Sequence, residues 1–463
     1  MKKLTLLISV LFLAAFIVGC SSNNTDNSTT DKNTNDKVTD SKEEVTLKVA
    51  SWRFGTEEDN NLERQMIQAF MEDYPHIKIE IDESIADPWN DSLATAASAG
   101  NLPDVFELAN IPVAIQNEWL YDLTDIVAGD ADFDSISESV KEVLYHDEKV
   151  IALPSGQHFL GYYVNKDLYD RQNLDAPEYG MSMDEFSDAI RSVTDINNGV
   201  IGLNQPFSII EWYPAAANDN MGIFTFNDGQ VNLNSNEFIR GINFANSIVS
   251  NDYVWDEGLS DAQKANFNGE NATEVWNQGN VGLFFDGTWS IGWMAEQSDH
   301  NWDFVGIPGG RTVVVNDFMG IAKSTKHAEE AYLFTKYMTF GKEGFMKRLA
   351  VADANGEKLN NLPISTDQEI LDEFFSRLDV PGILEAYNHI DNGVANLPKI
   401  VPGYIDARWN APTGVQLNAD IPNASIGQLI DASVRGEIKI EDYISQLNDL
   451  ANQKLQEGAD ALN

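Results

Sequence analysis

HIKIEI, at residues 76–81, alternates apolar and polar side chains with a period of two, as a β-strand with one buried face does. Another strand pattern, TLKVA, lies upstream at residues 46–50, and an apolar stripe with helical spacing separates the two at 60–74. A short helical stretch at 92–99 and a third strand, PDVFEL, at 103–108 follow. The order strand, helix, strand, helix, strand predicts an α/β fold with a parallel sheet and right-handed crossovers.

A later strand pattern ends beside a large aromatic residue. The stretch GLFFDGTWS covers residues 282–290, where the apolar run stops at the turn signal Asp286-Gly287 and Trp289 follows. Loops at the strand ends of α/β proteins are common ligand-binding positions. This stretch alone leaves two interpretations open, because Trp289 could contact a ligand or fold back onto the core.

The N-terminus has the features of an export signal. Two lysines precede an apolar run shorter than a membrane span, so residues 1–19 are predicted to be a cleaved signal peptide. Cys20, the only cysteine, follows a small glycine and resembles the lipid-modified cysteine of bacterial lipoproteins. The alternative is an ordinary secretory signal with an incidental cysteine. Residues 20–44 are predicted to be the lipidated cysteine and a polar, flexible tether.

The composition excludes several classes of partner. The chain has 73 acidic and 30 basic residues and a formal net charge of −43, which argues against nucleic acid and anionic lipid surfaces as partners. With 463 residues, 43% of them hydrophobic, it can bury at least two cores. Its six histidines form no close cluster with each other or with cysteine, so we expect neither a metal site nor a cofactor.

Four further motifs, taken together, resemble those of a known family. They lie at residues 101–105 (NLPDV), 163–168 (YVNKDL), 279–289 and 305–310 (VGIPGG). In this order, they resemble the family 1 extracellular solute-binding proteins, the maltose-binding-protein-like receptors of bacterial ABC sugar importers. The resemblance runs from about residue 45 to the C-terminus.

The resemblance implies a two-lobed periplasmic-binding-protein-like fold, in which each lobe is a sheet flanked by helices and a hinge joins the lobes. The N-terminal lobe is expected at residues 45–157 plus about 318–365, and the C-terminal lobe at 158–314 plus about 366–463. A sugar, most simply an oligosaccharide, would bind between the lobes and be delivered to the membrane subunits of an ABC permease. The protein would act as a monomer, held by its lipid on the outer face of the cytoplasmic membrane.

The resemblance also implies which side chains face the cleft. Trp289 would offer a flat aromatic surface to the apolar face of a sugar ring, while polar groups would bind its hydroxyls. Arg53 could instead be a solvated surface residue, Asp286 a turn residue, and at least one aromatic residue near position 210 a core residue. The predicted ligand-binding residues are Trp52, Arg53, Glu107, Asn110, His158, Phe207, Trp212, Asp286, Trp289, Asp317, Arg408 and Trp409.

Two other functional classes remain open at this point. A secreted carbohydrate-active enzyme would also have a tryptophan-lined cleft and paired carboxylates, which so acidic a chain supplies by chance. A surface adhesin-type lipoprotein would need no closing cleft. The sequence contains neither a Gly-x-Ser-x-Gly nor a His-Glu-x-x-His motif, and we expect a receptor rather than an enzyme. Neutral and acidic sugars both remain possible ligands.

Overall fold

The computed structural model describes residues 43–359 and 361–462, so the predicted signal peptide, Cys20 and nearly all of the predicted tether lie outside it. Within the described residues, nine strands form one mixed sheet. Numbered along the chain, these strands are β1 Val45–Ala50, β2 Ile77–Ile81, β3 Val105–Glu107, β4 Leu153–Asn165, β5 Ile201–Leu203, β6 Val281–Gly287, β7 Trp302–Gly306, β8 Val313–Ile321 and β9 Val394–Ala395. Their order in the sheet is β2-β1-β3-β8-β4-β6-β5, while β9 pairs with β8 and β7 with β4.

The first three strands are parallel, as the sequence predicts. Strand β1 lies between β2 and β3, and Val49 is in register with Ile81 on one side and Val105 on the other. Two parallel neighbours cannot be joined by a tight turn, so a helix, Leu62–Asp73, crosses from β1 to β2. The Asn61 side chain accepts a hydrogen bond from a backbone N–H in its first turn and begins the helix there.

Helices cover the sheet. A capping box formed by Ser182 and Glu185 begins the helix Met183–Val193. The helices of six or more residues are Leu62–Asp73, Trp89–Ser98, Ile111–Gln116, Lys166–Gln172, Met183–Val193, Ser208–Ala217, Asn236–Ser250, Ala272–Asn277, Ile291–Gln297, Ala328–Met338, Lys342–Asn355, Gln368–Phe375, Pro381–Asn388, Ile426–Val434 and Ile444–Asp460.

Two long antiparallel strands join the halves of the sheet. Strand β4 pairs with β8 from Leu160 opposite Val313 to Leu153 opposite Met319. Strand β8 continues the ladder to β3, and β4 continues it to β6 and β7. The side chains in the middle of β4 and β8 therefore lie between the two halves of the sheet, one of which contains β1 and the other β6.

The buried apolar side chains form three clusters. One draws its members from residues 45–153 and 318–364, and the other two draw theirs from residues 159–315 and 345–455. Strand β4 passes from the first cluster at Leu153 to the others at Phe159 and Tyr162. The expected lobe boundaries stay a prediction. Phe345 and Leu349, which we expected in the N-terminal lobe, pack in a cluster with residues of the expected C-terminal lobe.

No helix within residues 43–359 and 361–462 combines the length and the apolar composition needed to cross a bilayer.

Candidate ligand-binding site

A cavity of about 570 Å³ is lined by side chains of β4 and β8 and by residues that follow β1 and β6. Five of the predicted residues line it: Trp52, Arg53, His158, Trp289 and Asp317. Trp52 and Arg53 follow the end of β1, and Trp289 follows the end of β6. His158 and Asp317 lie within β4 and β8, the two strands that join the halves of the sheet.

Trp289 lies in a single helical turn, Thr288–Ser290, directly after β6, and 42% of the residue is exposed. Its indole N–H donates a hydrogen bond of 2.9 Å to Asp286 Oδ1, and the Ser290 hydroxyl donates one of 2.7 Å to Asp286 Oδ2. Burial raises the pKa of Asp286, and these hydrogen bonds oppose that effect. Both carboxylate oxygens of Asp286 thus hold this turn, so Asp286 positions Trp289.

Gly287 lets the Trp289 ring lie against the backbone. A Cβ atom at Gly287 would be 2.5 Å from three atoms of the six-membered ring, closer than carbon atoms can approach. The His158 ring meets the tryptophan edge-on, with 5.3 Å between centroids and 72° between planes. One side of the indole is therefore in contact with protein, and the exposed remainder is turned toward the cavity that it lines.

Trp52 is the second aromatic residue of the cavity and is 40% exposed. Trp89 supports it in a T-shaped contact with centroids 5.1 Å apart, and the Trp89 N–H donates to the backbone carbonyl of Glu107 at 2.8 Å. The ammonium nitrogen of Lys399 lies 5.3 Å from the centroid of the Trp52 ring, within the range of a cation–π contact. The Trp52 ring thus already has a cation of the chain beside it.

The guanidinium of Arg53 is held by a buried carboxylate. Arg53 Nε donates to Glu107 Oε1 at 2.8 Å, and Arg53 Nη1 donates to the Ser155 carbonyl at 2.8 Å. The hydroxyls of Ser51 and Ser155 also donate to Glu107, which is fully buried. Burial raises the pKa of Glu107, and the nearby Arg53 opposes that effect. We predicted Glu107 as a ligand contact, but its carboxylate binds and orients Arg53, and Glu107 itself does not line the cavity.

A second ion pair joins β8 to a loop near residue 400. Lys399 Nζ donates to Asp317 Oδ1, and His158 Nε2 lies 3.4 Å from Asp317 Oδ2. The other ring nitrogen of His158 is 3.3 Å from the Thr288 hydroxyl. Burial acts to raise the pKa of Asp317, but the hydrogen bond from His158 and the charge of Lys399 outweigh it and hold that pKa below its usual range.

The sequence analysis missed several residues of the cavity. Arg348, within the helix Lys342–Asn355, makes a bidentate ion pair with Glu63, with N–O distances of 2.6 and 2.9 Å. Arg348 also donates to the Met338 carbonyl at 2.8 Å. No motif identified either residue, and no local pattern could have paired them, because 285 positions separate them along the chain. The missed residues are Asn61, Leu62, Glu63, Val315, Phe345, Arg348, Glu357, Lys358, Leu359, Asn361 and Lys399.

Comparison with known proteins assigns a family to this fold and cavity. A profile of the bacterial extracellular solute-binding proteins matches residues 55–340. This chain belongs to that family. The solute-binding protein is also 24% identical, over 382 residues, to an uncharacterized ABC transporter extracellular-binding protein of Pyrococcus horikoshii; the match covers 78% of this chain and 83% of the relative. The family is one of solute-binding proteins rather than of enzymes.

Solved structures confirm the fold class. An ABC substrate-binding protein of Listeria monocytogenes, in complex with cycloalternan, superposes with a TM-score of 0.68 at 19% identity, covering 89% of this chain and all of the other. The GacH receptor of Streptomyces glaucescens gives 0.66 at 14% identity, covering 89% and 99%. A solute-binding protein of Thermotoga lettingae, bound with α-D-tagatose, gives 0.64 at 16%, also covering 89% and 99%. The fold is thus the two-lobed periplasmic-binding-protein-like fold.

Two predicted aromatic contacts lie in the core of the solute-binding protein instead. Trp212 is completely buried, its N–H donates to the Tyr162 hydroxyl at 3.1 Å, and its ring packs edge-on against Tyr162 and Phe186. Phe207 packs, half-buried, against the same cluster. Neither side chain lines the cavity, because the helix Ser208–Ala217 presents its apolar side to the core.

Three further predicted contacts also serve the fold rather than the cavity. Arg408 is buried in an ion pair with Glu211, and Trp409 packs beside it. Asn110 accepts a hydrogen bond from the Val113 N–H at 3.0 Å, which begins the helix Ile111–Gln116. Its amide also donates to the Pro398 carbonyl at 2.8 Å, in the segment that carries Lys399. Asn110 therefore positions chain near the cavity without lining it.

Within residues 43–359 and 361–462, no three histidine, cysteine or acidic side chains are grouped so that they could hold a metal ion.

Proposed function

We propose that this solute-binding protein captures an oligosaccharide in the cavity and passes it, unaltered, to the membrane subunits of an ABC importer. The observation that carries the proposal is the pair of half-exposed tryptophans, Trp52 and Trp289, that line one cavity with hydrogen-bonding side chains. A sugar ring has apolar C–H faces and a hydroxylated edge, so it needs aromatic surface and polar groups together.

The polar groups are suited to hydroxyls. Arg53, His158 and Asp317 line the cavity, and each is oriented by a partner rather than free to rotate. A preorganised polar group binds a hydroxyl at a lower entropic cost than a mobile one. We therefore assign these three residues to hydrogen bonding, and Trp52 and Trp289 to contact with sugar faces.

Relatives support a sugar and an importer. The structures from Listeria monocytogenes, Streptomyces glaucescens and Thermotoga lettingae are described with cycloalternan, acarbose and tagatose, respectively. The relative from Pyrococcus horikoshii is described as an ABC transporter extracellular-binding protein. The chain would act as a monomer whose lobes close over the sugar, since the permease needs to distinguish loaded from unloaded receptor.

The proposal includes a lipid anchor. The apolar N-terminal run followed by Gly19 and Cys20 suits signal cleavage and lipid attachment, and the polar residues that follow suit a tether. An anchored receptor would stay on the outer face of the cytoplasmic membrane, close to the permease that it serves.

A thermal-shift screen tests the proposal. The panel should contain neutral oligosaccharides, uronate oligosaccharides, glycerol phosphate, ferric iron and spermidine. A ligand that binds only the native state stabilises it by about 2.7 kcal/mol at a hundredfold excess over its dissociation constant. We expect the shift from an oligosaccharide, together with a smaller radius of gyration in small-angle scattering.

Chromatography of the sugar after prolonged incubation separates the receptor from an enzyme. Recovery of unaltered sugar agrees with the proposal, whereas hydrolysis products would indicate a carbohydrate-active enzyme. A shift from iron or spermidine alone would overturn the assignment of a sugar. Tight sugar binding with no change in the radius of gyration would contradict closure of the lobes.

A further inference from the structure

The cavity contains a cation site that the chain fills by itself. Lys399 Nζ lies 5.3 Å from the centroid of the Trp52 ring and forms an ion pair with Asp317, whose carboxylate is nine-tenths buried. An aromatic ring and a buried carboxylate are the two groups that bind a substituted ammonium ion. Both are directed here at one nitrogen, and that nitrogen belongs to the protein.

Lys399 is the lysine or arginine that forms an ion pair with Asp317. Arg53 is paired with Glu107, and Arg348 with Glu63. Asp317 depends on Lys399 for its charged partner, since His158 lies beside it at 3.4 Å as a group that is charged only when protonated. Removing the Lys399 ammonium would therefore leave a buried carboxylate without its ion-pair partner, near an aromatic ring.

We propose that Lys399 is a specificity-determining residue, which closes the cavity to cationic ligands by occupying with its own side chain the ammonium site made by Trp52 and Asp317. The natural ligand is then a molecule without an ammonium group. This statement rests on the proposed function and selects neutral or acidic sugars over amino sugars and polyamines as its ligand class. An incoming ammonium group finds the Lys399 ammonium already beside the Trp52 ring and the Asp317 carboxylate already paired, whereas the exposed part of Trp52 stays open to a sugar face.

Chemical rescue tests the site directly. Lys399→Ala keeps Cβ and removes Cγ, Cδ, Cε and Nζ, which correspond to the heavy atoms of n-propylammonium, so n-propylammonium is the probe. We expect n-propylammonium chloride to bind the variant about tenfold or more tightly than the wild type, as expected for a desolvated cation beside an aromatic ring. Binding is read from tryptophan fluorescence and from the rise in melting temperature, each relative to sodium chloride at equal ionic strength.

Lys358 provides a matched control. It lines the same cavity, but its ammonium pairs at 2.6 Å with Asp379, and Asp379 is largely exposed. Lys358→Ala removes the same charge from the same cavity without uncovering Trp52 or Asp317. We expect the propylammonium affinity of Lys358→Ala to stay close to that of the wild type. In the double variant Trp52→Leu/Lys399→Ala, we expect most of the gain to disappear.

Three results would overturn the inference. Lys399→Ala could gain no affinity for propylammonium, Lys358→Ala could gain as much, or the gain could persist without Trp52. Each would show that Lys399 contributes only charge or packing. A panel in which no glycan binds, combined with a clear gain in Lys399→Ala, would remove the proposed function and keep the cation site.

A measurement on the wild type keeps the inference testable if Lys399→Ala does not fold. An ammonium group that lies beside an aromatic ring and is largely shielded from solvent should react slowly with acetic anhydride, because the reagent reaches it less readily. We expect mass spectrometry to find Lys399 acetylated several-fold more slowly than Lys358, whose side chain is more exposed. Equal rates would contradict occupation of the site by Lys399.

Discussion

Replacing Trp289 by alanine tests the structural account of the cavity most directly. The residue is 42% exposed, makes one side-chain hydrogen bond, to Asp286, and contacts His158 edge-on. Removing a fully buried tryptophan costs about 3–5 kcal/mol of unfolding free energy. Since nearly half of Trp289 faces solvent and its hydrogen bond is worth about 1 kcal/mol, we expect a loss of only about 1–2 kcal/mol.

The affinity should respond more strongly than the stability. If Trp289 packs on a sugar face, its removal should weaken binding by about 2 kcal/mol, as for buried aromatic residues at the centres of interfaces. That energy corresponds to roughly a thirtyfold loss in affinity. Trp289→Phe should lose less, because a smaller aromatic surface remains. The assay is titration calorimetry, with the glycan identified in the screen, and differential scanning calorimetry on the same preparations.

Trp293 supplies the control for this experiment. It lies in the next helix, Ile291–Gln297, packs half-buried against a core cluster, and does not line the cavity. Trp293→Ala should lower the melting temperature and leave the affinity unchanged. The reasoning would be refuted if Trp289→Ala lost 3 kcal/mol or more of stability while its folded fraction bound sugar normally. The aromatic surface that contacts the sugar would then have to be supplied by Trp52.

Three further results are expected. Gly287→Ala should push the Trp289 ring from its place, since the new Cβ would be 2.5 Å from it, and should lower sugar affinity by about fivefold in calorimetry with an intact melting transition. The pKa of Asp317 is below its usual range in the folded protein, so ionised Asp317 stabilises the fold above about pH 4, and this stabilisation is lost as the pH falls further. In thermal melts between about pH 4 and pH 2, Asp317→Asn should therefore lose less stability than the wild type loses over the same range. Cys20→Ala should leave the protein uncut or release it to the medium, and its persistence in carbonate-washed membranes would contradict lipid anchoring.

The order and direction of the first strands could be predicted, because patterns within short stretches of sequence determine them. The alternation in HIKIEI places one face of β2 against the core, and the two helices that follow the first strands force the parallel order that the register confirms. The turn at Asp286-Gly287 likewise ends β6, and Trp289 follows it with its ring half-exposed. In each of these places, the side chains that decide the structure are neighbours in the chain.

Long-range pairs could not be predicted in this way. Arg348 reaches Glu63 across 285 positions, and Lys399 reaches Asp317 across 82. Neither lysine nor arginine has a sequence signature that distinguishes an ion pair within a cavity from a solvated surface charge. With 73 acidic residues available, nothing in the sequence identifies which carboxylate a given cation will meet.

The predicted contacts that line the cavity and those that proved to be core residues differ in how close they lie, along the chain, to a strand. Trp52, Arg53 and Trp289 directly follow strands, and the end of a strand in such a sheet fixes on which edge the next residue lies. Trp212 and Arg408 lie farther from a strand, in an α-helix and a π-helical turn, where the rotation of the side chain about the helix axis decides between core and cleft. That rotation is set by packing partners that are distant in sequence: Tyr162 for Trp212, and Glu211 for Arg408. Motif position alone therefore locates cleft residues after strands more reliably than within helices, and the cavity should be mapped by mutating the strand-end residues first.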